Sequence, residues 1–181
     1  YLPRDDTGPI TGFDTGPGNT LLDQWIGHHC AREHDEAGQW AASGNSSREL
    51  LDQLLTDPYF GAAPPKSTGR EHFNLEWLNG HLGKLASLPS VVDIQATLLQ
   101  LTAQTIAQAV RRFLPQTQEV YVCGGGAHNR ELISALTNHF SGIPVATTEA
   151  LGLHPDWVEA DGACPQCVNH YRRQVSRLRG N

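Results

Sequence analysis

Apolar residues along this 181-residue chain fall into blocks whose spacing changes from helical to strand-like and back. Leu21, Leu22, Trp25 and Ile26 recur at the three-to-four-residue interval that gathers side chains on one helix face, and Asn19 stands where the cap of that helix belongs. A short strand over residues 10–13 precedes it and ends in the turn Asp14-Thr15-Gly16-Pro17-Gly18. Residues 35–46 are polar, with Gly and Ser, and read as a loop; 47–55 read as a short helix capped by Ser47. Pro58, Gly61, Pro64, Pro65 and Gly69 exclude regular structure from 57–70, and helix returns over 74–82. The longest helix is predicted from Ser90 to about residue 114, because Ser90 with Asp93 is close to a capping box and Pro115 stops the run. Val91, Ile94, Leu98 and Leu101 line one side of it, and Leu99, Ile106, Val110 and Phe113 another, which predicts burial between layers. Residues 119–123 read as a buried strand, Gly124-Gly125-Gly126 as a turn, Asn129 or Arg130 as the start of a helix to about Phe140, and 143–147 as a further strand. The alternation of strand and helix predicts an α/β fold with several helices and a short mixed sheet.

Composition narrows the class. Hydrophobic residues make up 39% and charged residues 18% of the chain, a globular balance. The net charge of -6 excludes a dedicated nucleic-acid binder, which carries a basic face. No apolar run approaches the ~20 residues that cross a bilayer, so no membrane partner is expected. The start, Tyr1-Leu2-Pro3-Arg4-Asp5-Asp6, leads into no apolar signal region, and methionine is absent throughout, which predicts a fragment, a processed form or an excised domain. Cys30, Cys123, Cys164 and Cys167 then read as thiols of a reducing compartment, the cytoplasm, rather than as a disulfide framework.

Two glycine turns carry the sharpest chemistry. Phe13-Asp14-Thr15-Gly16-Pro17-Gly18-Asn19 sets an acid and two glycines ahead of a helix start, where a backbone can approach a phosphate or sugar and free N–H groups favour an anion. Asp14 can take a proton, orient a water or hold a metal; the plainer reading is a strand–turn–helix corner. Val120-Tyr121-Val122-Cys123-Gly124-Gly125-Gly126-Ala127-His128-Asn129 repeats the logic, and three consecutive glycines suit close approach to an adenine or ribose. Its plainer reading is a tight turn. Pro64-Pro65-Lys66-Ser67-Thr68-Gly69-Arg70-Glu71 offers two cations and two hydroxyls that could clamp an anion, although residue types alone favour a solvated loop. Cys164-Pro165-Gln166-Cys167 with His170 is a weak zinc signal without a second pair; His154 or Cys30 would have to complete it. His28-His29-Cys30 with His34 reads as helix surface, its adjacent histidines on different faces, so no resident metal site is assigned.

In order, Gly12-Phe13-Asp14-Thr15-Gly16-Pro17-Gly18-Asn19 with Asp23, Pro64-Pro65-Lys66-Ser67-Thr68-Gly69-Arg70-Glu71 with Phe73-Asn74, Cys123-Gly124-Gly125-Gly126-Ala127 with Asn129, and Asp156-Trp157-Val158-Glu159-Ala160 resemble the anhydro-N-acetylmuramic acid kinase family over about residues 8–160. The resemblance implies the C-terminal ribonuclease-H-like lobe of an actin-like, two-lobed ATPase fold for residues 1–160, followed by a divergent tail over 161–181. It implies an ATP-dependent, Mg2+-assisted reaction of cell-wall sugar recycling: water attacks the anomeric carbon of 1,6-anhydro-N-acetylmuramic acid while O6 takes the γ-phosphoryl group. Asp14 matches the acid that activates the water; Thr15, Gly16, Pro17, Gly18, Asn19 and Glu159 fall to the amino sugar, and Gly124, Gly125, Gly126 and Asn129 to the nucleotide. A homodimer at full length is implied as well.

Two departures stand out. Nothing matches the family's N-terminal Gly-Thr-Ser-type phosphate loop, and a cleft with one lobe cannot hold both substrates together. After Ala160 an apolar helix is replaced by Asp161-Gly162-Ala163-Cys164-Pro165, which a shifted reading frame near position 161 would explain, leaving free thiols in a poorly packed tail. The rival readings are a non-catalytic remnant of the kinase that lacks the ATP-binding N-terminal lobe, and a small zinc-binding interaction module.

Overall fold

The computed structural model describes residues 1–3 and 10–156. Among them, seven α-helices and a parallel pair of short strands form a mixed α/β unit. Its centre is the predicted long helix, α6 (Val91–Phe113). Ser90 Oγ accepts from the Asp93 amide (3.2 Å) and donates to Asp93 Oδ2 (2.7 Å), the reciprocal start that Ser90 and Asp93 predict. Asp93 Oδ1 also accepts from the Asn45 amide (2.6 Å); that bond and those with Ser90 hold the Asp93 carboxyl below its ordinary pKa. Ile94, Leu98, Leu99, Leu101, Ala103 and Ala107 are all buried, so α6 is covered on more than one face as its pattern requires.

Helices α1 (Thr20–Cys30), α2 (Gln39–Ala42), α3 (Arg48–Leu54) and α7 (Arg130–His139) all pack on α6, while α5 (Leu75–Leu82) packs on α1 and α3. Leu21, Leu22, Trp25 and Ile26 are the buried face of α1, and the Trp25 indole N–H donates to the Val91 carbonyl (2.8 Å), tying α1 to the first residue of α6. Ser47, Asn74 and Asn129 each cap the following helix through a side-chain oxygen. Strands β1 (Val120–Val122) and β2 (Val145–Thr147) pair in parallel, Val120 opposite Val145, with α7 as the crossover that parallel pairing needs.

Four expectations differ from what forms. The strand over 10–13 is absent, and the pair β1–β2 is parallel and half-buried rather than part of a mixed, buried sheet. Residues 10–13 meet no strand among the described residues; the Thr11 amide donates to the Tyr1 carbonyl (3.3 Å) and the Tyr1 ammonium to the Thr11 carbonyl (2.6 Å), and this single pair makes no ladder. Residues 35–46 are not plain loop: a 3-10 turn over Glu36–Gly38 runs into α2, because Asp35 accepts from the Trp40 and Ala41 amides (2.8 Å each). Gly38 is required there, since its φ is +76° and a Cβ would collide with Asn129 Oδ1 and Glu131 Cβ at the start of α7. Within 57–70 a single helical turn, α4 (Pro58–Gly61), forms behind Asp57, whose Oδ1 accepts from the Tyr59 amide, and Pro58 sits at the first position where a missing N–H costs nothing. No helix of the described residues is long and apolar enough to cross a membrane.

Candidate functional site

Asp14 is exposed and held at four points by α4 and the segment that follows it. Its amide donates to the Lys66 carbonyl (3.2 Å), and its carbonyl accepts from the Tyr59 hydroxyl (2.9 Å). Its carboxylate is held by one oxygen: Ser67 Oγ (2.8 Å) and the Thr68 amide (2.9 Å) both donate to Oδ2. Among the described residues nothing donates to Oδ1, so one oxygen is anchored and the other is left to accept. Tyr59 is itself fixed by Asp57, Lys66 and an aromatic cluster. Asp57 Oδ2 accepts from Trp77 Nε1 (2.8 Å) and His72 Nε2 (3.2 Å). Burial would raise the Asp57 pKa, but the bonds from Trp77, Tyr59 and His72 outweigh it and the carboxyl lies below its ordinary value.

The glycines of the two turns divide by cause. At Gly16 a Cβ would stand 3.0 Å from Phe60 Cε1 and 3.1 Å from Thr105 Oγ1, so packing against α4 and α6 explains this glycine. Gly18 turns at φ +54° and its carbonyl accepts from Thr102 Oγ1 (2.8 Å) in α6. Gly124 has φ +68° and ψ -164°, a region that only glycine occupies without strain, and its amide donates to the Pro155 carbonyl (3.0 Å). Gly125 and Gly126 differ. A Cβ there would meet its nearest neighbours at an ordinary 3.5 Å, and neither φ is positive. The fold therefore does not demand glycine at those two positions.

Asn19 joins the turns. It precedes α1 as predicted, but it has helical dihedrals and its side chain makes no capping bond. Its Nδ2 lies instead against the second turn, 3.5 Å from where a Cβ on Gly125 would stand and 3.8 Å from one on Gly126. Asp14–Asn19 and Gly124–Gly126 thus form one surface. Pro17 is buried and Thr15 half-buried within it, and Asn129 serves the fold as the cap of α7.

His128 Nε2 and Asp156 Oδ1 pair (2.8 Å) just beyond the glycine turn, with His154 Nδ1 3.8 Å from the other Asp156 oxygen. The hydrogen bond that His128 donates to Asp156, and the charge of that carboxylate, raise the His128 pKa, Glu149 and Glu36 add to this, and slight burial opposes it. The pairing therefore contributes fully below the unfolded value near 6.5 and is lost as pH rises through the higher folded value. A proton NMR titration of His128 should give a midpoint above 6.5 that falls toward 6.5 in Asp156→Asn. A wild-type midpoint at or below 6.5 would show that the pair does not form.

A family model described as anhydro-N-acetylmuramic acid kinase matches residues 5–164. The chain belongs to this family. It is 49% identical over 160 residues to the anhydro-N-acetylmuramic acid kinase of Coxiella burnetii strain RSA 493, covering 88% of this chain and 42% of the relative. The enzyme of that name from Cupriavidus metallidurans is 50% identical over 161 residues, with the same coverage of 88% and 42%. The Paraburkholderia xenovorans relative is 48% identical over 180 residues, 97% of this chain and 46% of its own length. The chain thus spans less than half the length of these kinases.

Within the kinase family motifs, the structure brings together Asp14, the Pro-Pro-Lys-Ser-Thr-Gly loop and the three glycines, as well as Asp23 and Arg70, whose charges interact. Burial raises the Asp23 pKa, and His34 and Arg70 oppose it. Glu159, Cys164, Cys167 and the rest of 157–181 lie outside the described residues. Lys66 is no outward clamp: its ammonium donates to the Tyr59 carbonyl (3.0 Å) and lies 4.5 Å above the Tyr59 ring, with its pKa lowered by burial and then by Arg112. The rings of His28 and His29 touch edge-on at 4.8 Å rather than diverging onto separate faces. Among the described residues no group of three His, Cys, Asp or Glu side chains is placed to hold a metal. Two surface hollows, about 460 Å³ by Trp77 and His81 and about 390 Å³ by Phe60 and Phe113, include neither Asp14 nor the glycine turns in their walls. Tyr59 and Asp57 were missed from sequence. The signal was a proline-initiated helical turn within a segment whose prolines and glycines argue for loop.

Proposed function

We propose that this chain forms one wall of an ATP-dependent kinase site that opens the anhydro ring of 1,6-anhydro-N-acetylmuramic acid and phosphorylates O6. The observation that carries the reading is the Asp14 carboxylate, anchored through Oδ2 with no donor on Oδ1 among the described residues, on a turn whose Asn19 amide lies beside Gly125 and Gly126. A carboxylate so placed suits a general base. Water bonds to the anomeric carbon as its proton passes to Asp14 Oδ1. The bond from that carbon to O6 breaks, O6 bonds to the γ-phosphorus of ATP, and ADP leaves. The nucleotide is assigned to Gly124, Gly125 and Gly126 and to the helix start at Asn129, where backbone N–H groups favour an anion. Thr15, Gly16, Pro17, Gly18 and Asn19 shape the sugar side, and the resemblance assigns Glu159 to the sugar as well. Mg2+, held mainly by the phosphates and water, would neutralise phosphate charge. The proposal extends to an actin-like lobe, a second wall and a homodimer, as the resemblance implies.

The test uses the complete kinase polypeptide, meaning this chain together with the part of its relatives' length that it does not span. Incubation with ATP and the anhydro sugar should release ADP and a sugar 6-phosphate one to one by phosphorus NMR. The 181-residue chain alone should give none, because it covers 42% of the Coxiella burnetii relative. Phosphate on another oxygen, or ring opening without ATP, would refute the assignment.

A further inference from the structure

We propose that Ser67 is a positioning residue that decides which oxygen of Asp14 receives the proton. The proposal rests on the reading of Asp14 as the base. The Asp14 backbone is located without Ser67, by the Lys66 carbonyl on its amide and the Tyr59 hydroxyl on its carbonyl. These two bonds fix where the residue is, but they leave the carboxylate plane free to turn about the terminal side-chain torsion, which is broad and two-fold for aspartate. Ser67 Oγ and the Thr68 amide remove that freedom by converging on a single oxygen, Oδ2, at 2.8 and 2.9 Å. Two donors on one oxygen occupy it and orient the other, Oδ1, outward. A base within a few tenths of an ångström of its water is worth much more than one that samples several orientations.

The clamp consists of neighbouring residues, so it forms as a unit. Lys66 points its ammonium back onto Tyr59, Ser67 points its hydroxyl onto Asp14, and Thr68 supplies its amide. Thr68 Oγ1 is buried with no partner among the described residues, so the local conformation serves the bonds to Asp14 rather than its own hydroxyl. The sequence shows Ser67 as a hydroxyl available to an anion; the anion it meets belongs to the protein.

In the complete kinase, Ser67→Ala should lower kcat about 10-fold with KM for ATP and sugar unchanged, since one of two charge-assisted bonds is lost and both backbone anchors stay. Ser67→Thr, which keeps the hydroxyl, should recover most of that loss. Ser67 is exposed, so the melting temperature should hardly move. The deciding measurement is the double variant. In an Asp14→Asn background Ser67→Ala should slow turnover no further, because Ser67 acts through the carboxylate. An additive loss, or an effect on KM alone, would overturn the proposal, as would a kcat within twofold of wild type. If Asp14→Asn alone keeps wild-type turnover, the failure lies with the base and not with Ser67. A readout independent of activity is the Thr68 amide proton, which shares Oδ2: its NMR resonance should shift in Ser67→Ala, and an unmoved resonance counts against the clamp.

Discussion

Asp14→Asn in the complete kinase is expected to lower turnover by ~10²–10⁴ while the ATP dissociation constant stays within about twofold. The substitution is nearly isosteric, and the surroundings choose its orientation. Ser67 Oγ and the Thr68 amide are both donors aimed at the inner oxygen, so the amide carbonyl of an asparagine turns inward to meet them. The NH2 group then faces outward in place of Oδ1. It is a donor with no capacity to take a proton, so the base is lost while the turn keeps its shape. Nucleotide binding is expected to survive because Gly124–Gly126 are positioned by other bonds, among them the Gly124 amide to the Pro155 carbonyl. An ADP-coupled assay with calorimetry on the same preparation checks both halves. Turnover at the wild-type rate would remove Asp14 from the mechanism; ATP affinity falling with kcat would mean that the two turns are not independent.

Phe73→Ala should reduce unfolding free energy by ~3–5 kcal/mol, a large share of the ~5–15 kcal/mol typical of a domain. Phe73 is 0% exposed. Its ring stacks on Phe60 (5.5 Å) and His72 (4.3 Å) and meets Tyr59 (5.6 Å) and Trp77 (5.1 Å) edge-on. Four neighbours converge on this one ring, so a gap there cannot close without moving α4. The urea midpoint should drop with little change in slope. Activity should suffer too, because Tyr59 bonds the Asp14 carbonyl and Phe60 backs Gly16. A loss below about 1.5 kcal/mol would show that the cluster collapses around the missing ring.

Much of this arrangement is legible in the sequence where the signal is local. The start of α6 follows from Ser90 and Asp93, and its double apolar pattern announces burial; Asn129 and the following heptad of mixed residues announce α7. The family motifs place Asp14 and the glycines in one reading. What was not legible depends on partners far along the chain. A strand at 10–13 fits its residue types, yet strands exist by pairing, and among the described residues only Tyr1 pairs with it, at Thr11. Asn19 has the composition of a cap, but its amide lies 3.5 Å from the Cβ position of Gly125, a residue more than a hundred positions away. Gly16 looks like a ligand-facing glycine and is explained by Thr105 and Phe60. Ser67 reads as available to a ligand because nothing in a linear chain reveals that Asp14 has already claimed it.

The position of α6 in the chain has a consequence for biosynthesis. Helices α1, α2 and α3 each lay an apolar face on α6, and all three leave the ribosome before it. At ~5–20 residues per second, the buried face of α1 waits on the order of 4–18 seconds before the last turn of α6 has been polymerised. During that interval Leu21, Leu22, Trp25, Leu50 and Leu54 lack the surface that covers them in the finished molecule. The order in which the chain emerges thus leaves the Asp14 turn, which rests on Thr102 and Thr105 of the same helix, among the later parts of this region to take shape.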